Sequence, residues 1–338
     1  MSVNYWRLSA AAAGISAALL MYANPAAATE GALGRVVQGA NIQPKAGIVP
    51  DVPILALNVT SIYFDGNIGA GTNVPVAGNL ALGLRGEVSM TPLTLLKVWD
   101  TGKGRWNFAS AVTVPIIWNR VSATLQAGNA TKLISQSDSG VFDLLFTPIS
   151  AGYHFSPTSH MALSLGIWAP TGGFEKGRLA NTGLNYWTVS PTIAYTKLVP
   201  AAGLEFTAQT GVQFNTRNTA TDYKSAPLFI LDALIQKSLG GGFAIGGNLS
   251  YVQQLGDDTG PLADRLNGFV GHSVAIGPTL GWSGAIGGRP VEATLRWTPT
   301  IASAKRLSGD SLMFTFSIPL VLPTAPPAAP PVAPNAPH

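Results

Sequence analysis

The segment Tyr186–Leu198 alternates between apolar and polar side chains, and this period of two constrains the fold more than any other feature of the chain. Trp187 and Ile193 fall on one face, whereas Ser190 and Thr192 fall on the other. Such alternation predicts a β-strand with one apolar face. In a soluble sandwich that face packs in the core, whereas in a membrane barrel it meets lipid and the polar face lines the lumen.

Similar alternating segments recur along the chain. They lie at residues 54–64, 79–89, 105–118, 141–155, 160–169, 186–198, 204–215, 229–238, 243–254, 272–282, 291–298 and 312–320. Short links alternate with long polar ones, as expected for periplasmic turns and outer loops of a barrel with an even number of strands. Residues 90–104 form a long link where a short turn belongs, and we predict a periplasmic excursion there that could hold a short helix.

Composition favours the membrane alternative over a large secreted all-β protein. Charged residues make up 11% of the 338 residues, well below the roughly 25% of an average soluble domain. Beyond the N-terminus the sequence has no run of about 20 apolar residues that could span a bilayer as a helix. We therefore predict an all-β fold, a transmembrane antiparallel β-barrel of about twelve strands, in which Trp187 and Ile193 face lipid and Thr192 faces the lumen.

Aromatic residues near the ends of the predicted strands support two lipid–water interfaces. Those beside the long links are Trp118, Trp168, Tyr186, Trp187, Tyr251 and Trp297, and those near the short turns are Trp106, Tyr153, Tyr195 and Trp282. This placement predicts one aromatic belt at each interface.

The chain divides into four regions. Residues 1–28 have the basic start, apolar centre and small-residue end of a secretory signal peptide. Residues 29–51 show no clean period, and residues 52–321 form the predicted outer-membrane barrel. Residues 322–338 are rich in proline and alanine, which predicts an extended, disordered periplasmic spacer. A signal peptide and a β-barrel together predict that the protein lies in the outer membrane of a Gram-negative bacterium. Its partners there would be outer-membrane lipid and lipopolysaccharide.

Charged and amide residues on the polar faces are the candidate site. Alternation predicts that Arg85, Glu87, Asp143, Glu205, Gln209, Asp232, Asn248, Glu292 and Arg296 line the lumen. Such residues either form a polar network that fills the barrel or act as a selectivity lining that determines what passes. The sequence leaves both interpretations open.

Enzymatic and metal motifs are weak. The stretch Gly271–Ala275, GHSVA, resembles a nucleophile elbow, but a strand rather than a helix is predicted after it and the only later histidine is His338. The spacing of zinc ligands is missing, and there is no basic run interleaved with aromatics of the kind that binds nucleic acid. We predict a protein that is not an enzyme and has no cofactor or metal, with an outer-membrane lipid hydrolase as a lesser alternative.

Six segments of the chain carry a resemblance to a known family. They are GRVVQGANIQPKAGIVP at 34–50, DLLFTP at 143–148, APTGGFEKGRLANTGLNYWTVSPTIAY at 169–195, FNTRNTATDYKSA at 214–226, VQQLGDDTG at 252–260 and AIGP at 275–278. With these segments the chain resembles the "putative MetA-pathway of phenol degradation" family of transporter-like outer-membrane proteins, which includes the sphingosine-induced proteins. Ala226 departs from an expected glycine, and the proline-rich tail looks like an extension. The resemblance implies an outer-membrane channel for passive uptake of small hydrophobic or aromatic compounds. A non-specific small-solute porin is the alternative, and a purely structural or adhesive barrel is a further one.

Residues 29–51 suggest a plug. The lumen of a twelve-stranded barrel is wider than side chains readily fill, because the diameter grows with strand number. Long-chain fatty-acid transporters of the outer membrane close theirs with an N-terminal hatch, and this glycine-containing segment looks like a shorter counterpart. We expect it to enter the lumen, with Arg35 or Lys45 paired with carboxylates such as Glu87 or Glu205. The alternative is a flexible leader that only tethers the first strand.

Overall fold

The computed structural model describes residues 34–102, 104–127, 130–266 and 269–321; the predicted signal peptide and proline-rich tail lie outside them. The strands are β1 (Leu55–Val76), β2 (Asn79–Val98), β3 (Trp106–Ala127), β4 (Ala130–Val141), β5 (Leu144–Ser156), β6 (Ser159–Ala169), β7 (Thr188–Val199), β8 (Leu204–Asn215), β9 (Leu228–Gly240), β10 (Phe243–Gln254), β11 (His272–Ile286), β12 (Arg289–Ala304) and β13 (Ser308–Val321). In the residues that the structure describes, helix is limited to a 3-10 turn at Pro200–Ala202 and α1 at Pro261–Asp264. Within the described ranges, none of the helices has the length and apolar character needed to cross a membrane.

The strands close into an antiparallel barrel. β1 pairs with β2 on one side and with β13 on the other, and β2 pairs onward with β3. β4 and β5 both pair with β3, β4 along residues 116–127 and β5 along residues 106–113. These two strands together occupy one position in the wall. The predicted twelve-stranded barrel is therefore confirmed, with one of its strands interrupted at Phe142 and Asp143.

The two ends of the barrel carry different connections. Turns at residues 157–158, 200–203, 241–242 and 287–288 lie at one end, and the longer connections 170–187, 216–227 and 255–271 lie at the other. We assign the first end to the periplasm, because bacterial barrels have short turns there. The link between β1 and β2 is an outer connection of only two residues, Ala77 and Gly78. Both have positive φ, 46° and 87°, as the tightest hairpin turns require.

The link predicted at residues 90–104 is mostly strand. β2 continues to Val98 and β3 begins at Trp106, so the turn spans residues 99–105. The prediction of a periplasmic excursion is wrong. The strand was hidden because both of its faces are apolar here: Leu95 points outward, whereas Met90 and Leu96 line the interior. A strand that is apolar on both faces has no period of two in hydropathy.

Strand β7 has the predicted orientation. Trp187, just before the strand, is 48% exposed on the outer surface and Ile193 is 40% exposed. Thr188 and Thr196 are fully buried in the interior, on the same face as Thr192. Apolar side chains therefore face the surroundings and hydroxyls face inward, as in a barrel whose outer surface is solvated by lipid.

On the outer halves of β1 to β3 this arrangement reverses, because these strands extend well past the rest of the wall. Phe64, Leu84 and Val88 point inward and are buried in an apolar core cluster. Asp65 and Arg85 point outward and form an ion pair of 2.8 Å between Oδ2 and Nη2. An outward face that rises above the bilayer meets water and lipid head groups, so polar side chains suit it.

The prediction that Arg85 and Glu87 face the lumen is wrong. Ala81 is buried in the interior as the pattern expects, but the register shifts between Leu82 and Leu84, where Gly83 has a φ of 72°. This β-bulge adds one residue to β2 and so inverts the alternation beyond it. Arg85 and Glu87 therefore lie on the outer surface, 3.1 Å apart, and Glu87 also pairs with Arg120.

Part of the predicted aromatic belts lies on the outer surface. Of the predicted residues, Trp187 and Trp297 are exposed toward the outer end and Trp106 and Tyr195 toward the periplasmic end. Tyr63 and Phe155, which were not predicted, are exposed at the same two ends. Trp168 and Tyr186 do not belong to the outer belt, because both face the interior and line its main cavity. Their position beside a long link gave no sign of this, since an aromatic ring near a strand end suits either face.

Candidate functional site

Residues 34–54, called the N-terminal segment below, precede β1 and lie inside the barrel. Val36, Gln38 and Ile42 are almost completely buried. The Ser311 hydroxyl on β13 donates to the Gln38 carbonyl at 3.0 Å, and the Gly47 N–H donates to Thr196 Oγ1 on β7 at 3.0 Å. These two strands belong to distant positions in the wall, so the segment crosses the lumen between them.

Arg35 anchors the outer end of this segment. Its Nη1 lies 2.5 Å from Asp143 Oδ2, its Nη2 donates to the Tyr186 carbonyl at 2.5 Å, and its Nε donates to Thr188 Oγ1 at 2.9 Å. The guanidinium carbon also lies 5.4 Å from the centre of the Trp168 ring and 4.9 Å from that of Tyr186. A buried cation is thus fully compensated by a carboxylate and by aromatic faces.

Asp143 connects three parts of the molecule. It lies in the interruption between β4 and β5, is fully buried, and binds Arg35. Its Oδ1 accepts the Gly172 N–H at 2.9 Å and its Oδ2 accepts the Leu184 N–H at 3.0 Å. Both donors belong to the connection between β6 and β7, residues 170–187, called the outer loop below. One carboxylate therefore holds the barrel wall, the outer loop and the N-terminal segment together.

Lys45 anchors the periplasmic end of the segment. Its backbone N–H donates to Glu205 Oε1 at 2.6 Å, whereas its side-chain ammonium pairs with Glu292. Glu205 also accepts Gln236 Nε2 at 3.0 Å. The lumen carboxylates at this end therefore both bind the segment. Glu87, the other expected partner, lies on the outer surface of the barrel.

Buried arginines on the wall bind the backbone of the segment. Arg296 on β12 donates to the carbonyls of Gly39 and Ile42, and Arg306 donates to the carbonyl of Val36 at 3.4 Å. Burial lowers the pKa of the Arg306 guanidinium to about 10, which leaves it charged at neutral pH. Arg306 was missed in the sequence because it lies in a link, residues 305–307, where charged residues are normally solvated.

The remaining predicted residues lie on the inner face. Asp232 is fully buried on β9. Asn248 accepts a hydrogen bond from Thr298 at 2.8 Å and donates to Thr279 at 3.1 Å, next to Gly39 of the N-terminal segment. Gln209 borders the main cavity. Of the predicted residues that do face the lumen, Asp143, Glu205, Glu292 and Arg296 bind the segment, whereas Gln209 borders the main cavity.

The interior contains a cavity of about 550 Å³. It lies between the inner faces of β1 to β3, the outer loop and the N-terminal segment. The apolar lining includes Val37, Ile62, Leu84, Val88, Met90, Leu96, Ile117, Val121, Phe142, Leu145, Trp168, Phe174, Leu179, Leu184 and Leu307. Arg35 is the one charged residue among the described residues that line it, and its charge is paired with Asp143. The volume falls in the usual range for small-molecule sites.

The wall beside this cavity is incomplete at its outer half. Among the described residues β4 pairs with β3 alone, whereas β5 pairs with both β3 and β6. The outer loop lies against the inner side of β3 and β4: the Leu179 N–H donates to Gln136 Oε1 at 2.6 Å, and Asn119 Nδ2 donates to the Asn181 carbonyl at 2.7 Å. A loop held by side chains therefore stands where a further strand pairing would otherwise close the wall.

The possible nucleophile elbow has no elbow geometry. His272 and Ser273 begin strand β11, and Ser273 pairs in register with Ser303 on β12. An elbow places its serine on an exposed turn before a helix, whereas Ser273 is completely buried within the sheet.

Comparison with known proteins agrees with this architecture. The family described as "Putative MetA-pathway of phenol degradation" matches residues 65–316. An outer membrane channel from Pseudomonas putida F1 has a similar structure, with a TM-score of 0.66 and 14% identity over 83% of this chain and 100% of that chain. A Pseudomonas aeruginosa FadL homologue gives a TM-score of 0.43 and 10% identity over 88% and 98% of the two chains. Among curated proteins, no sequence matches this one.

Proposed function

Since the chain belongs to the "Putative MetA-pathway of phenol degradation" family and forms an outer-membrane barrel, we propose that it mediates the passive uptake of small hydrophobic or aromatic compounds. The observation that carries the proposal is the apolar cavity of about 550 Å³ within the barrel. A water-filled pore has a polar lumen, and an interior lined by Ile62, Val88, Ile117 and Trp168 suits apolar molecules instead.

The incomplete wall supplies an entry route for such molecules. Solutes that dissolve in the outer leaflet reach the end of β4 nearest the membrane, at the exposed Val141, where the outer loop takes the place of a strand pairing. Displacement of this loop would connect the lipid phase with the cavity, so that an apolar molecule need not cross the hydrophilic surface above. The N-terminal segment then separates the cavity from the periplasm.

Transport measurements with two solutes test the proposal. In a strain lacking the gene, restoring the protein should increase uptake of butylbenzene, and purified protein in liposomes should leave them impermeable to sucrose in a swelling assay. The physical reason is that the segment crosses the lumen and blocks a continuous water column. Sucrose permeation without butylbenzene uptake would instead support the non-specific porin.

A separate measurement addresses the lipid hydrolase alternative. The purified protein should release no fatty acid from phospholipid or lipopolysaccharide, and Ser273→Ala should transport butylbenzene as the unaltered protein does. Release of fatty acid that disappears in Ser273→Ala would contradict the transport proposal.

A further inference from the structure

We infer that the cavity selects uncharged amphiphiles, molecules with an apolar body and one neutral hydrogen-bonding group, over carboxylates and ammonium ions of the same size. This rests on the proposed function and specifies the chemistry of its substrate. The inference comes from how polarity is distributed along the cavity and from the state of its charges.

The cross-strand register stacks the lining residues into rows. Toward the periplasmic end, Asn58, Thr94 and Thr113 lie side by side on β1, β2 and β3. Farther out, the next row that lines the cavity is apolar and consists of Ile62, Met90 and Ile117. Beyond it, Val88 pairs with Asn119, whose amide donates to the Asn181 carbonyl of the outer loop. The polar row and these apolar side chains are separated along the barrel axis, so the cavity itself is amphipathic.

Asn58, Thr60, Thr94 and Thr113, called the polar girdle here, all line the cavity. Their hydrogen bonds are neutral and mutual: Thr94 Oγ1 lies 2.8 Å from Thr113 Oγ1, and Thr60 donates to Asn58 Oδ1 at 3.2 Å. Hydroxyl groups both donate and accept and can rotate. The polar girdle can therefore accommodate a ligand hydroxyl without leaving any of its own groups unpaired.

Among the described residues that line the cavity, a charged ligand would find no free opposite charge. The guanidinium of Arg35 is occupied by Asp143, Tyr186 and Thr188, and its side chain is almost completely buried. An ion placed among the apolar rows would lose its hydration without a compensating charge, and this costs far more than burial of a neutral hydroxyl. The apolar lining therefore excludes charged ligands, whereas the polar girdle orients a neutral ligand by binding its hydroxyl.

Four ligands of similar size separate these effects: butylphenol, butylbenzene, butylbenzoate and butylbenzylammonium. Binding is measured by calorimetry on the full chain in lipid nanodiscs at neutral pH, with empty nanodiscs as the blank. We expect butylphenol to bind most tightly and both ions to bind at least about tenfold more weakly than butylphenol. Ions that bind as tightly as butylphenol would overturn the inference while leaving uptake of apolar compounds intact.

The double variant Thr94→Val/Thr113→Val tests the polar girdle. It removes two hydroxyls that bond to each other, so it leaves no unpaired group and should preserve the fold. We expect it to abolish the preference for butylphenol over butylbenzene, whereas the control Ser122→Ala/Ser135→Ala, which removes a similar pair 2.9 Å apart on the outer surface, should retain it. If the Thr94→Val/Thr113→Val protein still binds butylphenol more tightly than butylbenzene, the polar girdle does not have the proposed role. If none of the four ligands binds, the uptake proposal itself fails.

Discussion

Asp143 connects residues of the interior that lie far apart in the sequence. It holds Arg35 of the N-terminal segment and two N–H groups of the outer loop, at a point where the wall strand is interrupted. Because these partners are 108, 29 and 41 residues away in sequence, no local pattern could reveal them. The carboxylate was identified from its inward position, and its role became visible only when the three segments met.

Asp143→Asn should destabilise the folded barrel strongly, because it leaves the Arg35 cation buried without a counter-charge. Removing one partner of a buried ion pair costs about 3–5 kcal/mol. Urea unfolding in lipid vesicles measures the loss. The double variant Arg35→Met/Asp143→Asn removes the cation as well and should be less destabilised than the sum of the single changes. A loss of stability in the double variant equal to the sum of the two single losses would contradict a direct interaction between Arg35 and Asp143.

Ile193 and Gln209 test which face meets lipid, since they lie at neighbouring heights on adjacent strands β7 and β8. Ile193→Arg places a charge in the hydrocarbon and should lower the free energy of unfolding by about 2–4 kcal/mol. Gln209→Arg stays on the inner face beside the polar side chains of Asn41, Ser190 and Thr192, which can hydrogen-bond the guanidinium, and should cost much less. The measurement is folding yield and urea stability in vesicles. Equal losses at both positions would contradict the assigned orientation.

At the scale of elements, the outer loop depends on a close approach of two glycines. A Cβ on Gly183 would lie 2.6 Å from the carbonyl carbon of Gly172 and 2.8 Å from Asp143 Oδ1. Gly183→Ala should therefore shift the outer loop away from the wall at a cost of about 1–3 kcal/mol. Faster hydrogen exchange over residues 172–184 would show this.

Gly71→Ala is the matched control, because nothing lies within 4 Å of its Cβ position on β1. This variant should leave exchange of the outer loop unchanged. Unchanged exchange in Gly183→Ala as well would mean that the close approach does not hold the loop, and that its displacement is not the entry route.

The sequence predicted the lipid-facing strands well and the extended wall poorly. On β7 one face is apolar and the other polar, so alternation identifies both the strand and its orientation. On β2 the bulge at Gly83 inverts the faces without changing composition, so Leu84 and Arg85 exchanged their expected sides. A bulge is a property of backbone pairing, and a pattern of side chains cannot locate it.

The links of the barrel show the same limitation. Residues 66–78 and 119–139 have the polar composition of loops, yet their described parts are largely strand. Their outward side chains meet water above the bilayer, so their polarity reflects the surrounding medium rather than an irregular backbone. Composition predicted where the membrane ends, which is not where the sheet ends.

For the whole molecule, we propose that the N-terminal segment is the barrier to water and ions. It is bound at one end by Asp143, at the other by Glu205 and Glu292, and between them by Arg296. Deleting residues 34–48 should raise ion conductance in planar bilayers, because it vacates the space between distant walls. A folded barrel of unchanged conductance would show that the segment is not the barrier.

In the proposed function apolar molecules pass through the cavity, and two adjacent residues test this directly. Val121 lines the cavity, whereas Ser122 faces the outer surface of β3. Val121→Trp fills part of the space, and Ser122→Trp adds the same ring outside it. We predict that butylbenzene uptake in Val121→Trp falls to that of cells lacking the protein and is normal in Ser122→Trp, with both proteins folded in the outer membrane. Normal uptake through Val121→Trp would contradict transport by way of the cavity.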